Sequence, residues 1–239
     1  MRAAPIVVAP FLLALIVACG GDDSTSPSSC VAPDQEITTY YWENGDWVKH
    51  ASWDASFLRS DVRIWIDVAN WTVGYSAFWV ELDNVYAYGD LNLPEGLIDD
   101  FNDGVISPIW GGSGESCQEG RGAYACEAGG VLTVVIQEGP DEETGQFRLA
   151  GLTSQDFVAH GEFDVQVDFA LNPEFHEAVE TRVMLTMIDE YRRFPEISIR
   201  NGRYDSREVG PDYNYGKRST PTDQLAGKLR ITRTTCPNQ

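Results

Sequence analysis

Three residues that could do chemistry share one short run. Arg63, Trp65 and Asp67 alternate with Val62, Ile64, Ile66 and Val68. In an extended chain, period two puts the first three on one side and the aliphatic residues on the other. An aromatic ring flanked by a cation and a carboxylate suits a sugar, whose C–H faces stack on apolar walls while a few polar groups fix its hydroxyls. Asp164, Gln166, Arg182 and Arg230 occupy comparable polar positions in other alternating segments, and we expect them to face the same surface. Opposite charges on neighbouring strands also form plain ladder pairs, so recognition and packing both fit these residues. A second cluster, Asp99, Asp100, Asn102 and Asp103, crowds hard oxygen atoms into one turn, as calcium requires.

Other chemistries find no pattern. His50, His160 and His176 are scattered without metal-ligand spacing. Gly111-Gly112-Ser113-Gly114-Glu115 departs from the nucleophile elbow at its last position. No glycine loop leads into Lys and Ser/Thr to cradle phosphate. The chain's 239 residues carry 17 Lys and Arg against 37 Asp and Glu, a net charge of −20. That balance argues against nucleic acid as a partner, because duplex affinity rests on cations meeting phosphate. It equally opposes an electrostatic hold on anionic lipid.

The first residues read as an address. Met1-Arg2 precede an apolar run from Ile6 to Ala18, too short at about 1.5 Å per residue to cross the ~30 Å hydrocarbon core. Residues 1–18 are therefore expected to be a signal peptide. Leu15-Ile16-Val17-Ala18-Cys19-Gly20 resembles the bacterial lipoprotein box, which implies acylation of Cys19 and a membrane anchor. Several acyl chains together hold a protein stably at a bilayer. Gly20 after that Cys implies, by the same resemblance, a place in the cell envelope at the outer membrane. Residues 19–33 then form the lipidated Cys and a flexible tether, GGDDSTSPSSCVAP making up most of it.

From Glu36 onward the pattern is that of strands. Phe163, Val165, Val167 and Phe169 alternate with Glu162, Asp164, Gln166 and Asp168. Segments Val131–Ile136, Thr181–Ile188, Glu196–Arg200 and Lys228–Thr234 read likewise. Asn44-Gly45 between two apolar runs predicts a two-residue hairpin, and Asn201-Gly202, Gly139-Pro140 and Gly210-Pro211 mark further turns. The fold class is all-β, an antiparallel two-sheet β-sandwich, because each strand must bury one apolar face.

Leu97-Ile98-Asp99-Asp100-Phe101-Asn102-Asp103-Gly104, followed by Pro108 and Trp110, resembles the opening of a concanavalin A-like (laminin-G/glucanase-type) jelly roll. Gly161–Phe169 resembles that superfamily's central strand, and Gly227–Arg233 the strand that leads into its aromatic hairpin. Here the hairpin, Ile37–Trp42 through Trp47, and the usual terminal strand, Phe78–Tyr86, stand ahead of the opening. The resemblance thus implies a circularly permuted jelly roll over residues 34–239, with 34–89 the displaced second half, 90–96 a linker and 97–239 the first half. Completion of each half by another chain is the alternative order.

Five Cys are present, and lipidation of Cys19 leaves four. Permutation would bring Cys30 and Cys236 to one seam, implying disulfides Cys30–Cys236 and Cys117–Cys126 in a monomer, which an exported protein permits. Related jelly rolls hold a structural calcium where first and last strands meet, which would fall to Asp83, Asp100 and Asn102. The superfamily's glucanases carry Glu-x-Asp-x-x-Glu on one strand, for glycoside cleavage by paired carboxylates. Glu162-Phe163-Asp164 starts that pattern but meets Val167, and Glu81-Leu82-Asp83 meets Tyr86. No catalytic residue is assigned. The expectation is a non-catalytic, surface-anchored lipoprotein binding glycan or another extracellular ligand. A structural or adhesion module for a protein partner, and a hydrolase or lyase with a different carboxylate pair, are the alternatives.

Overall fold

The structure is a computed structural model that describes residues 35–58, 61–70, 78–111, 123–136, 148–156, 158–173, 175, 181–209 and 217–235. These form an almost wholly antiparallel β architecture. The strands are β1 (Gln35–Glu43), β2 (Asp46–Asp54), β3 (Val62–Asn70), β4 (Phe78–Leu91), β5 (Gly96–Asp99), β6 (Trp110–Gly111), β7 (Ala123–Ala128) and β8 (Val131–Ile136). They continue as β9 (Arg148–Ser154), β10 (Ala159–Leu171), β11 (Thr181–Asp189), β12 (Phe194–Arg200), β13 (Arg203–Val209), β14 (Lys217–Pro221) and β15 (Ala226–Thr235). One 3-10 turn, Ala55–Phe57, follows β2. Asp54 caps it, accepting the Ser56 N–H at 2.7 Å.

The alternation of the sequence decides what each strand buries. Val62, Ile64, Ile66 and Val68 are 0% exposed, and Phe163, Val165, Val167 and Phe169 at most 3%. Each such side chain stabilises the fold by roughly 1.5–3 kcal/mol relative to exposure. They join residues from nearly every strand in one continuous interior. Turn chemistry then fixes register. Asn44 and Gly45 take φ of 52° and 87°, the paired positive values a two-residue hairpin needs, and Trp42 faces Trp47. Asn201 and Gly202, at 46° and 67°, do the same between β12 and β13.

Hydrogen bonds run through one large, nearly closed sheet in the order β14-β13-β12-β11-β3-β10-β15-β1-β2. β9 and β6 extend it beside β3, while β4, β5, β8 and β7 extend it beside β10. β3 and β10 touch only at Val62 and Ala159, so the path turns sharply there. The first described strand pairs with the last: Thr39 faces Ile231 and Tyr40 faces Arg230. β15 in turn pairs with β10, Ile231 facing Val165. Residues 90–96 differ from a plain linker. Asp90 and Leu91 end β4 and Gly96 begins β5, and the two strands form a hairpin with Ala87 opposite Gly96.

The wall that starts at β1 and β2 closes on β13 and β14 through a buried polar seam. The Tyr41 and Tyr204 rings stack at 4.2 Å. Thr39 Oγ1 lies 2.8 Å from Ser206 Oγ, and His50 Nδ1 lies 2.5 Å from the same oxygen. His50 Nε2 reaches Thr220 Oγ1 at 3.2 Å. Burial, helped by the Arg218 charge, lowers the His50 pKa to about 4, so the imidazole is neutral near pH 7.

Candidate functional site

The polar side of β3 is where the structure gathers chemistry. Antiparallel pairing sets Trp65 opposite Thr186 of β11, Thr186 opposite Glu196 of β12, and Glu196 opposite Arg207 of β13. One row thus runs Trp65, Thr186, Glu196, Arg207, with Trp65 and Glu196 about 10 Å apart at two strand spacings. The adjacent row is Asp67, Met184, Ser198 and Asp205. On the other side of β3, Gly151 of β9 stands opposite Asp67. Arg63 and Arg182 complete the set, Arg63 facing Ile188 and Arg182 facing Ala69.

The two carboxyl groups of this face live in different surroundings. Glu196 is clamped: Arg207 donates from Nε at 2.8 Å and from a terminal nitrogen at 2.5 Å, both to Oε2. Ser198 Oγ donates to Oε1 at 3.2 Å, and an Arg182 nitrogen stands 4.0 Å away. Charge-assisted bonds of this kind hold a carboxylate in place. Asp67 is only 4% exposed, yet no described residue donates a hydrogen bond to it. Burial, and then the Glu196 charge, push its pKa well above the usual carboxylate range. Its space exists because residue 151 is glycine: a Cβ there would collide with the Asp67 carboxyl oxygen and the Ile66 carbonyl.

The remaining predicted binding residues form a separate cluster and do not join Trp65. Asp164 and Gln166 on β10 and Arg230 on β15 lie on the side of their strands away from the interior, but their neighbours are β1, β2 and β4. Arg230 makes a bidentate pair with Asp164 at 2.8 and 2.6 Å. Its guanidinium lies 5.1 Å from the Tyr40 ring and 5.2 Å from the Trp47 ring. Gln166 donates to Asp164 at 3.3 Å, and Lys228 bridges Asp168 at 2.7 Å. Tyr86 and Tyr88 stand nearly parallel at 6.4 Å on the neighbouring β4. Alternation reports whether a residue points inward or outward, but not which wall it stands on; the expectation of one shared surface is corrected to two.

The predicted calcium ligands Asp83, Asp100 and Asn102 each make local contacts. Asp83 Oδ1 accepts the Asn84 N–H at 2.7 Å, and Asp100 Oδ1 accepts the Asn102 N–H at 3.4 Å. Asn102 Oδ1 lies instead against Gly130. Asp100 and Asp168 do place enough negative charge near Asp83 to raise its pKa, behind burial as the largest cause. Among the described residues no group of three His, Cys, Asp or Glu could hold a metal. Cys126 lies on β7; Cys19, Cys30, Cys117 and Cys236 lie outside the described residues, as does Trp71. Trp110 is buried at 3%, whereas Trp79 is 38% exposed on β4.

Glu196, Arg207 and Gly151 were missed in the sequence. Their link to Trp65 and Asp67 is the pairing of distant strands, which no local pattern encodes. No known protein family, no curated protein and no solved structure matches the chain.

Proposed function

We propose that the chain is an envelope-anchored lipoprotein whose β domain binds a glycan on the Trp65–Asp67–Glu196 face. One observation carries this reading: a carboxyl with little exposure and no donor among the described residues, set over a glycine and beside a partly exposed tryptophan. A carboxyl so placed can accept a ligand hydroxyl without first giving up a bond to a described residue, a contact worth about 0.5–1.5 kcal/mol. Trp65 supplies the stacking wall, and Arg63 and Arg182 supply donors.

The domain is read as a two-sheet jelly roll in permuted order, anchored at the outer membrane through Cys19. The pairing of β1 with β15 supports permutation, since it sets the early aromatic hairpin beside the strand that leads into it in that superfamily. Disulfides Cys30–Cys236 and Cys117–Cys126 belong to the same proposal.

The decisive experiment is a glycan array followed by polysaccharide pull-down. Wild type is expected to retain a glycan, and Trp65→Ala to weaken it at least tenfold without loss of fold. Retention undiminished in Trp65→Ala would overturn the assignment. Capture of a protein ligand with no glycan retained would favour an adhesion module.

A second reading has its own support. A carboxyl whose pKa is raised by burial, beside a salt-bridged carboxylate, is the pairing that acid-assisted glycoside cleavage uses. Asp67 would donate the proton and Glu196 would assist from its arginine clamp. Release of reducing ends from a polysaccharide panel, lost in Asp67→Asn, would promote this reading over simple binding.

A further inference from the structure

Strand β7 places a carboxylate where its alternation calls for an apolar residue. Ala123, Ala125 and Glu127 share one side, and Ala125 is fully buried in the interior. Glu127 is 7% exposed. Its Oε1 accepts the Gly104 N–H at 2.7 Å, no described N–H or hydroxyl donates to its buried Oε2, and the Asp103 carboxyl lies against the group. Glu127 is one of the residues that line a cavity of about 490 Å³ between β7 and the segment before β6. Val105, Ile106, Pro108 and Trp110 supply its apolar wall, and among the described residues no Lys, Arg or His lines it.

The described charges that act on Glu127 are negative. Asp99 Oδ2 accepts the Trp110 Nε1–H at 2.8 Å, and Asp103 Oδ1 accepts the Val105 N–H at 2.9 Å. Both carboxylates act on Glu127, and with its burial as the leading cause they raise its pKa. An anion would be repelled here. A neutral molecule would leave the carboxylates facing one another. A cation would be drawn to Glu127 and Asp103 while its carbon skeleton covered the apolar wall, and the cavity is of a size that holds small molecules.

We infer that the Glu127 cavity is a binding site for a small organic ammonium ion with an apolar body. It shares no residue with the Trp65 face, so it stands or falls apart from the glycan reading.

Isothermal titration of the full domain at pH 8 with benzylamine, and with benzyl alcohol as its uncharged counterpart, tests the inference. Benzylamine is expected to bind, with benzyl alcohol at least tenfold weaker. Glu127→Gln is expected to lose at least tenfold in benzylamine affinity while melting no lower than wild type. Val105→Arg places a guanidinium at the exposed rim and is expected to block benzylamine, which keeps the test open should Glu127→Gln fail to fold. Equal affinity for amine and alcohol would overturn the site, as would undiminished binding in both variants. Titration with calcium chloride is the third arm: calcium binding lost in Glu127→Gln, with no benzylamine binding, would overturn it in favour of an inorganic ion.

Discussion

Asp67 and Asp164 are both aspartates on outward faces of central strands, and they differ in company. Asp164 is saturated: two nitrogens of Arg230 and one of Gln166 donate to it, and Tyr40 and Trp47 flank the guanidinium. Asp67 is more deeply buried and has no donor among the described residues. A satisfied pair explains itself as ladder chemistry between strands. A carboxyl whose pKa is raised by burial and a like charge, with no described donor, is not explained by ladder pairing, and clefts that bind or react are where such groups collect. The contrast therefore fits a structural role at the Arg230 wall and supports the proposal that places recognition at the Trp65 wall.

The largest way to break this contrast is steric. Gly151→Ala drives a methyl into the Asp67 carboxyl and the Ile66 carbonyl, and should cost about 3 kcal/mol in urea unfolding. A loss below about 0.5 kcal/mol would mean that Asp67 is not held over that glycine. Next comes Glu196→Gln, which strips the charge from a bonded group only 3% exposed; a loss of about 2 kcal/mol is expected. Asp164→Asn should cost less, about 1 kcal/mol, because both members of its pair are 24% exposed and water screens them.

The smallest effect has the opposite sign. The folded Asp67 pKa lies above its unfolded value near 3.8, so its stabilising contribution is complete below that pH and is lost as pH rises through the folded value. Asp67→Asn, which cannot ionise, should therefore gain on wild type as pH rises from about 4 towards 8. Paired thermal melts across that range check the sign. A variant that loses ground with rising pH would show Asp67 to be paired after all.

Much of the architecture was written locally. Period two in Val62–Val68 and Phe163–Phe169 reports which side is buried, and Asn44-Gly45 reports where the chain reverses. Arg63, Trp65 and Asp67 could be grouped because they lie on one strand. Glu196 and Arg207 could not, since they join through hydrogen bonds to β11 and β12 rather than through spacing. Asp164, Gln166 and Arg230 were legible as outward-facing but not as belonging to a second wall. Glu127 was hidden for another reason: in the alanine-rich run Ala123–Ala128 no large apolar residue marks the inner side, so a buried carboxylate looks exposed.

The union of the first strand with the last also governs when the fold can form. Thr39 meets Ser206 at a separation of 167 positions, and β1 finds its β15 neighbour only once Ala226–Thr235 have been made. Until then the β1–β2 ribbon, with Tyr40, Trp42 and Trp47, has an open edge able to pair with another nascent copy. Closing so long a loop before any contact is gained makes folding slow. A chain of this design is safest when delivered whole, and early release of a truncated product should yield aggregate rather than a smaller domain.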